Sequence, residues 1–296
     1  MAKQIQKGIY CASITICNED LTVDIDSTIK HSEYILQNGA VGCVLFGSTG
    51  QAQLISIDEK KKLIEKLSDN KFKERFILGT GLNSLNENVN LIKFALKNGI
   101  DRFLLGVPAY YKFTNEGAYE FFANLFNKVP EIQVILYSFE KLFGYKFDVP
   151  IIERLVKEFP QVKGVKDSDY DKFDTLKIDD DFLIFPGSET KLLRGLELGN
   201  AGIISATVNI TASLARKVYD DFYNKKKQTF NERLCAIRKI FDKNNLISGL
   251  HTFMSFKDKK YKTVLPPLSL LSKEQEKQMM DALKALNFYP EKNIAA

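Results

Sequence analysis

Eight short apolar runs recur along the chain, each followed by a longer segment of helix-like spacing. The runs are Gly8–Ile16, Gly42–Ser48, Arg75–Gly81, Asp101–Val107, Ile132–Phe139, Val162–Ser168, Phe182–Gly187 and Gly202–Thr207. Several are near-continuous in Val, Ile, Leu and Phe, the pattern of strands buried on both faces. Between them, Asp26–Gln37 (Ile29, Tyr34, Ile35), Asp58–Leu67 (Leu63, Ile64, Leu67), Leu85–Leu96 (Val89, Ile92, Leu96) and Asn115–Phe126 (Tyr119, Phe122, Leu125) each present one apolar helix face. The alternation predicts an α/β protein, a (β/α)8 TIM barrel. A doubly wound open sheet shares the pattern. The count of eight favours closure, and no GxGxxG follows the first run, which argues against a dinucleotide-binding sheet. Beyond the eighth run, Ala212–Tyr223, Thr229–Asn244 and Ser272–Leu286 remain helical in pattern, and Leu265-Pro266-Pro267 breaks the chain before the last. These segments predict a C-terminal helical extension outside the barrel. A chain of 296 residues, 45% hydrophobic, suits one such barrel and would also accommodate two smaller domains. No linker or low-complexity stretch divides it. The reading is therefore a single domain over 1–296, with the barrel over about 8–225 and the extension over about 226–296.

Composition removes several functions. A net charge of +5, from 42 basic and 37 acidic residues spread along the chain, is no nucleic-acid footprint. Lys225-Lys226-Lys227 is too short and isolated to be a binding patch, and Lys257-Asp258-Lys259-Lys260 mixes both signs. No apolar stretch approaches the ~20 residues that span a bilayer, and Met1-Ala2-Lys3-Gln4 lacks an apolar signal core. The expectation is a cytoplasmic protein. Cys11, Cys17, Cys43 and Cys235 form no CxxC pair and no ligand-like group with His31 or His251. That argues against structural zinc and a Ser-His-Asp system. All four are read as reduced, buried thiols.

In a barrel of this kind chemistry collects at the carboxyl ends of the strands. The sixth run, Val162-Lys163-Gly164-Val165-Lys166-Asp167-Ser168, delivers Lys166 there. An amine among apolar neighbours loses hydration, which disfavours its ammonium form and makes it a candidate nucleophile towards carbonyls. A solvated surface lysine is the alternative. The second run ends in Gly47-Ser48-Thr49-Gly50, whose hydroxyls and backbone can donate to a carboxylate or simply form a tight turn. The fifth run carries Tyr137, a proton relay or a core aromatic. The seventh ends in Pro186-Gly187-Ser188-Glu189 and the eighth in Ser205-Ala206-Thr207. An amine, a phenol and hydroxyls at one mouth suit a 2-oxo acid.

Taken in order, these segments resemble the pyruvate-dependent class I aldolase superfamily of dihydrodipicolinate synthase and N-acetylneuraminate lyase. Gly47-Ser48-Thr49-Gly50 resembles its carboxylate-binding turn, and Pro108-Ala109-Tyr110-Tyr111 its aromatic segment after strand four. Leu136-Tyr137 and Gly164-Val165-Lys166-Asp167 resemble its tyrosine and Schiff-base lysine strands. Gly187-Ser188-Glu189 and Leu198-Gly199-Asn200-Ala201-Gly202-Ile203-Ile204-Ser205 resemble its strand-seven and strand-eight signatures. The resemblance implies that neutral Lys166 forms an imine with a 2-oxo acid. Tyr137 would move the proton of the aldol hydroxyl, and Tyr110 would approach a neighbouring subunit's site. Ser48, Thr49, Gly187, Ser188, Glu189, Ile204 and Thr207 would contact substrate. It also implies a homo-oligomer, tetramer or dimer, that acts on a 2-oxo acid and an aldehyde without metal or organic cofactor.

The chain departs from its relatives in ways that bear on the second substrate. After the strand-five tyrosine the synthase carries an arginine that receives the carboxylate of aspartate semialdehyde; here Leu142 takes that place and cannot pair with a carboxylate. N-acetylneuraminate lyase has an acidic residue where Thr190 stands and a serine where Ala206 stands. The family's acid after the carboxylate turn is Gln51. The remaining polar set suits a shorter hydroxylated aldehyde, so the favoured activity is cleavage of a 2-oxo-3-deoxy sugar acid to pyruvate. The synthase and lyase activities are the alternatives. A silent 2-oxo-acid-binding barrel is a further one, although binding alone needs neither an amine nor a proton relay.

Overall fold

The computed structural model describes residues 4–290, so Met1-Ala2-Lys3 and residues 291–296 lie outside the described residues. Eight parallel strands are present: β1 (Gly8–Ala12), β2 (Gly42–Leu45), β3 (Phe76–Gly79), β4 (Arg102–Leu105), β5 (Gln133–Ser138), β6 (Val162–Asp167), β7 (Leu183–Pro186) and β8 (Gly202–Ser205). Each falls inside an expected run. The sheet order is β7-β6-β5-β4-β3-β2-β1-β8, the nearly closed (β/α)8 barrel expected. Among the described residues β7 and β8 share no ladder, and their seam is bridged by the Ala201 amide donating to the Ile184 carbonyl at 2.9 Å.

The period-two alternation of strands sorts side chains between two layers. Tyr10, Ala12, Val44, Ile77, Leu104, Ile135, Tyr137, Phe185 and Ile204 pack together in the lumen. Their neighbours Ile9, Cys11, Cys43, Leu45, Phe103, Leu136, Val165 and Ile203 face the helices. Both layers are dry, which is why the runs read as continuous apolar sequence. At the β1–β8 pairing the backbones touch. A Cβ on Gly202 (φ +142°) would lie 1.9 Å from the Gly8 carbonyl oxygen, so only glycine fits.

Helices α1 (Ile25–Gln37), α2 (Ile57–Leu67), α3 (Leu85–Lys97) and α4 (Asn115–Lys128) occupy the expected segments. Leu63, Ile64 and Leu67 of α2 are buried as expected, and the helix starts at a capping box between Ser56 and Glu59. Two further helices, α5 (Glu140–Phe143) and α6 (Val149–Glu158), lie between β5 and β6, and α7 (Leu192–Glu197) precedes β8. The chain continues through α8 (Val208–Tyr223), α9 (Asn231–Phe241), α10 (Leu246–Ser255) and α11 (Lys273–Ala285). Leu234, Phe241, Phe253 and Leu283 of this C-terminal part join the outer-layer cluster of the barrel. Cys11, Cys17 and Cys43 are buried free thiols. Cys235, on α9, is only half-buried, which corrects the expectation for that thiol.

A polar knot joins α1, the β1 and β8 ends and the C-terminal segment. Asn209 donates to the Ala12 carbonyl at 2.8 Å and the Ala206 carbonyl at 2.6 Å. Its side-chain oxygen faces His31 Nε2 at 2.8 Å, so Nε2 carries the ring proton, and Nδ1 accepts from the Tyr261 hydroxyl at 3.1 Å. Burial, partly offset by the Asn209 bond, pushes His31 down to about 4. An imidazole whose folded value lies below the ordinary ~6.5 stabilises the fold above that pH. The contribution is lost as pH falls from about 6.5 towards 4. The urea midpoint should therefore drop over that window, and less steeply in His31→Gln, whose side chain does not titrate. Equal slopes for the two proteins would refute this role for His31.

Candidate active site

The parallel register of β5 and β6 sets Tyr137 beside Lys166. Both side chains leave the lumen face at the carboxyl ends of their strands. Each residue is 5% exposed. The Lys166 Nζ lies 4.2 Å from the centre of the Tyr137 ring. The phenol oxygen is 3.0 Å from Ser48 Oγ, on the turn after β2. Phe143 of α5 packs edge-on against the Tyr137 ring, with centroids 5.3 Å apart. An amine, a phenol and a hydroxyl thus stand in one chain of contacts across the mouth. Thr49 is buried in the same turn, and Ile204 belongs to the lumen cluster that holds Tyr137.

The turn that carries Ser48 and Thr49 is fastened from behind. The Thr15 hydroxyl donates to the Gly50 carbonyl at 2.7 Å. Gln51, in the left-handed region at φ +55°, accepts the Leu265 amide on its side-chain oxygen at 2.9 Å. Gln51 therefore ties the turn to the C-terminal segment.

Asp167, next to Lys166, points to the opposite face of β6. One carboxylate oxygen accepts the amides of Asp169 and Tyr170 at 3.1 and 3.0 Å. The other accepts those of Lys172 and Phe173, both at 2.9 Å. Burial nevertheless pushes its pKa above the ordinary carboxylate value, against the pull of those amides and of Lys172. Asp169 extends the brace by accepting the Ser138 hydroxyl at 2.7 Å and the Glu140 amide at 2.8 Å. Asp167, Asp169 and Asp171 stand close enough together to suggest a cation. Amides, Ser138, Lys146 and Lys172 already engage their oxygens, so the group serves as loop scaffolding.

The other expected site residues are distributed unevenly. Gly187 backs the Lys166 strand, since a Cβ there would lie 2.4 Å from the Ser168 hydroxyl. Ser188 is buried, with its hydroxyl 3.0 Å from that of Thr190. Thr207 is buried, and its hydroxyl has no partner among the described residues. Glu189 faces away from open solvent. Its carboxylate is held by Arg238 of α9 at 3.1 Å, by Ser205 at 2.7 Å and by Thr211 at 3.4 Å. This placement differs from the substrate-facing carboxylate expected, because a fully buried anion is stable only beside a cation and donors. Tyr110 is not brought to Lys166 within one chain. It is 89% exposed, at φ +89°, stacked edge-on against Tyr111 with centroids 5.1 Å apart.

Sequence reasoning missed Arg238. Burial opposes its charge, but Glu189 and then Asp242 outweigh that and raise its pKa. It lies 49 positions from Glu189, and no local pattern links the two. Asp167 had a signal, its adjacency to Lys166, but its four amide partners become evident only once the loop folds back.

The chain matches the family described as the dihydrodipicolinate synthetase family over residues 5–286. The 4-hydroxy-tetrahydrodipicolinate synthase of Thermus thermophilus is 29% identical over 283 residues, 93% of this chain and 94% of that protein. The 2-dehydro-3-deoxy-D-gluconate/2-dehydro-3-deoxy-phosphogluconate aldolase of Picrophilus torridus is 30% identical over 185 residues, 61% of this chain and 68% of that protein. The crystal structure of dihydrodipicolinate synthase from Agrobacterium tumefaciens superposes with a TM-score of 0.85 at 25% identity, covering 95% of this chain and 99% of that one.

Asp167→Ala should destabilise the protein by about 3 kcal/mol or more, because it strands amides that a charged acceptor satisfied. Asp167→Asn, which keeps one acceptor oxygen, should lose less. Urea unfolding measures both, and an alanine variant as stable as the parent would refute the bracing role. By sequence over nearly its whole length and by the architecture of its barrel, this chain belongs to the dihydrodipicolinate synthetase family, a family of carbon–carbon lyases and aldolases.

Proposed function

We propose that this chain is a Schiff-base-forming class I aldolase that cleaves a 2-oxo-3-deoxy sugar acid to pyruvate and an aldehyde, or runs the reverse condensation. The observation that carries the reading is the Lys166 amine held in the mouth against the Tyr137 ring, with the phenol oxygen in contact with Ser48. Lys166 Nζ adds to the C2 carbonyl of the substrate, and water leaves as the imine forms. The protonated imine withdraws the electron pair of the C3–C4 bond. Tyr137 gives its proton to the departing hydroxyl as the protonated imine forms, and the resulting phenolate takes the proton of the C4 hydroxyl as the C3–C4 bond breaks and the aldehyde departs. The resulting enamine takes a proton at C3, and hydrolysis returns pyruvate and the free amine.

Thr49 and the backbone of its turn hold the substrate carboxylate. Ser48 shares its hydroxyl with Tyr137 and so belongs to the proton path as much as to carboxylate binding. Tyr110, exposed on its own chain, completes the relay in a neighbouring subunit, so the working form is a homo-oligomer, a dimer or a tetramer. The covalent imine makes a metal or organic cofactor unnecessary, and the setting is the cytoplasm. No helix among the described residues is long and apolar enough to cross a membrane.

Likeness to the Thermus synthase along nearly the full chain supports a second reading, condensation of pyruvate with aspartate semialdehyde. Leu142 weighs against it. It is 45% exposed on α5, where the synthases carry their carboxylate-binding arginine, and a leucine offers that group no donor. Likeness to the Picrophilus aldolase supports the sugar-acid reading. Loss of acidic character at Thr190 and of a hydroxyl at Ala206 weighs against N-acetylneuraminate.

Incubation with pyruvate and borohydride should add one carboxyethyl group, mapped to Lys166 and absent from Lys166→Ala. An unmodified Lys166 would end the aldolase reading. Tyr137→Phe should still trap pyruvate yet cleave sugar acids about 100-fold more slowly or worse, and full activity in that variant would remove the phenol from the mechanism. A panel of 2-oxo-3-deoxy acids assayed for pyruvate release, beside aspartate semialdehyde condensation, chooses the substrate. Fast condensation without sugar-acid cleavage would favour the synthase.

A further inference from the structure

We propose that Arg238 is a positioning residue for the barrel mouth: with Glu189 it closes the β7–β8 seam and fixes the wall on which the distal, hydroxylated end of the substrate rests. The seam is the weak point of the barrel. Among the described residues every other neighbouring strand pair shares a parallel ladder, whereas β7 and β8 share none and are bridged by the Ala201 amide donating to the Ile184 carbonyl. That bond lies towards the amino end of β8. At the carboxyl end, where the substrate enters, side chains take over. Arg238 Nη1 stands 3.3 Å from the Gly187 carbonyl just past β7, 2.8 Å from Ser205 Oγ at the tip of β8, and 3.1 Å from the Glu189 carboxylate. Ser205 in turn donates to Glu189 at 2.7 Å. One guanidinium nitrogen thus joins the ends of two strands that have no ladder between them. Its Nε is anchored to Asp242 at 2.7 Å, so α9 acts as the fixed post.

The clip adjoins the reacting amine. Lys166 pairs in register with Phe185, and two residues further along β7 the chain reaches Gly187 and the clip. A lysine at 238 would supply charge without the planar fork that reaches several acceptors at once. In the aldolase reading the pyruvate half is fixed covalently by Lys166 and by its carboxylate at Thr49, so the effect of the clip should be felt on the rest of the substrate. This part of the inference rests on the aldolase reading; the closing of the seam does not.

Three variants test it: Arg238→Lys, Arg238→Met, and Arg238→Met combined with Glu189→Met. Arg238→Met alone leaves a buried carboxylate unpaired and should lower the melting temperature. The double variant removes both charges and should recover most of that loss. It should still raise KM for the best sugar acid about tenfold with a smaller change in kcat, because a displaced wall weakens contacts made before and during bond breaking alike. Arg238→Lys should restore only part of the KM. Pyruvate should still be trapped on Lys166 in all three. Amide hydrogen exchange gives an arm independent of turnover, in which the Gly187–Lys191 segment of the double variant should exchange faster than in the parent. A double variant with recovered stability, parental KM and parental exchange would overturn the inference. Failure of the parent protein to trap pyruvate would instead overturn the aldolase reading, and exchange alone would then decide the clip.

Discussion

The pairing of β5 with β6 is the constraint on which the site depends. Parallel register sets Tyr137 opposite Lys166, and the period of two sends both into the lumen. A slip of one residue on β6 would turn Asp167 inward and Lys166 out among the helices. Asp167 opposes that slip, because its carboxylate accepts four backbone amides on the outer face and would lose them by turning inward. The geometry of the mouth is thus secured from the opposite face of the strand.

Much of this was legible in the sequence because the relevant signals are local. A strand buried on both faces is a short apolar run, and eight of them at regular spacing leave little choice of architecture. Most helices with apolar faces were equally readable, although α6, which buries Ile151, Ile152 and Leu155, was not among them. Of the others that were missed, α5 and α7 are short, with four and six residues, and α10 is buried along almost its whole length, so it shows no exposed face to give it a period. The site divides along the same line. Ser48, Tyr137 and Lys166 each lie at or just past a strand end, and a barrel brings strand ends together. Arg238 was invisible because it reaches the mouth from a helix distant in sequence. Glu189 looked like a ligand because nothing local announced the cation that neutralises it.

The C-terminal part of the chain holds the mouth at three points. Arg238 clasps the tips of β7 and β8. Leu265 donates its amide to Gln51 behind the turn that carries Ser48 and Thr49. Tyr261 donates to His31, which is bonded to Asn209 between β1 and β8. All three ties are polar and largely buried. The segment that follows the barrel is in this respect part of the site's frame.

Those ties set an order of events on the ribosome. Chains emerge amino end first and fold progressively as they do. The whole strand set, with Lys166 and Tyr137, is complete by Ser205, whereas Arg238, Tyr261 and Leu265 are still to come. A nascent chain at that stage carries Lys166 and Tyr137 within an unfastened mouth, and the groups that fasten it leave the exit tunnel only later.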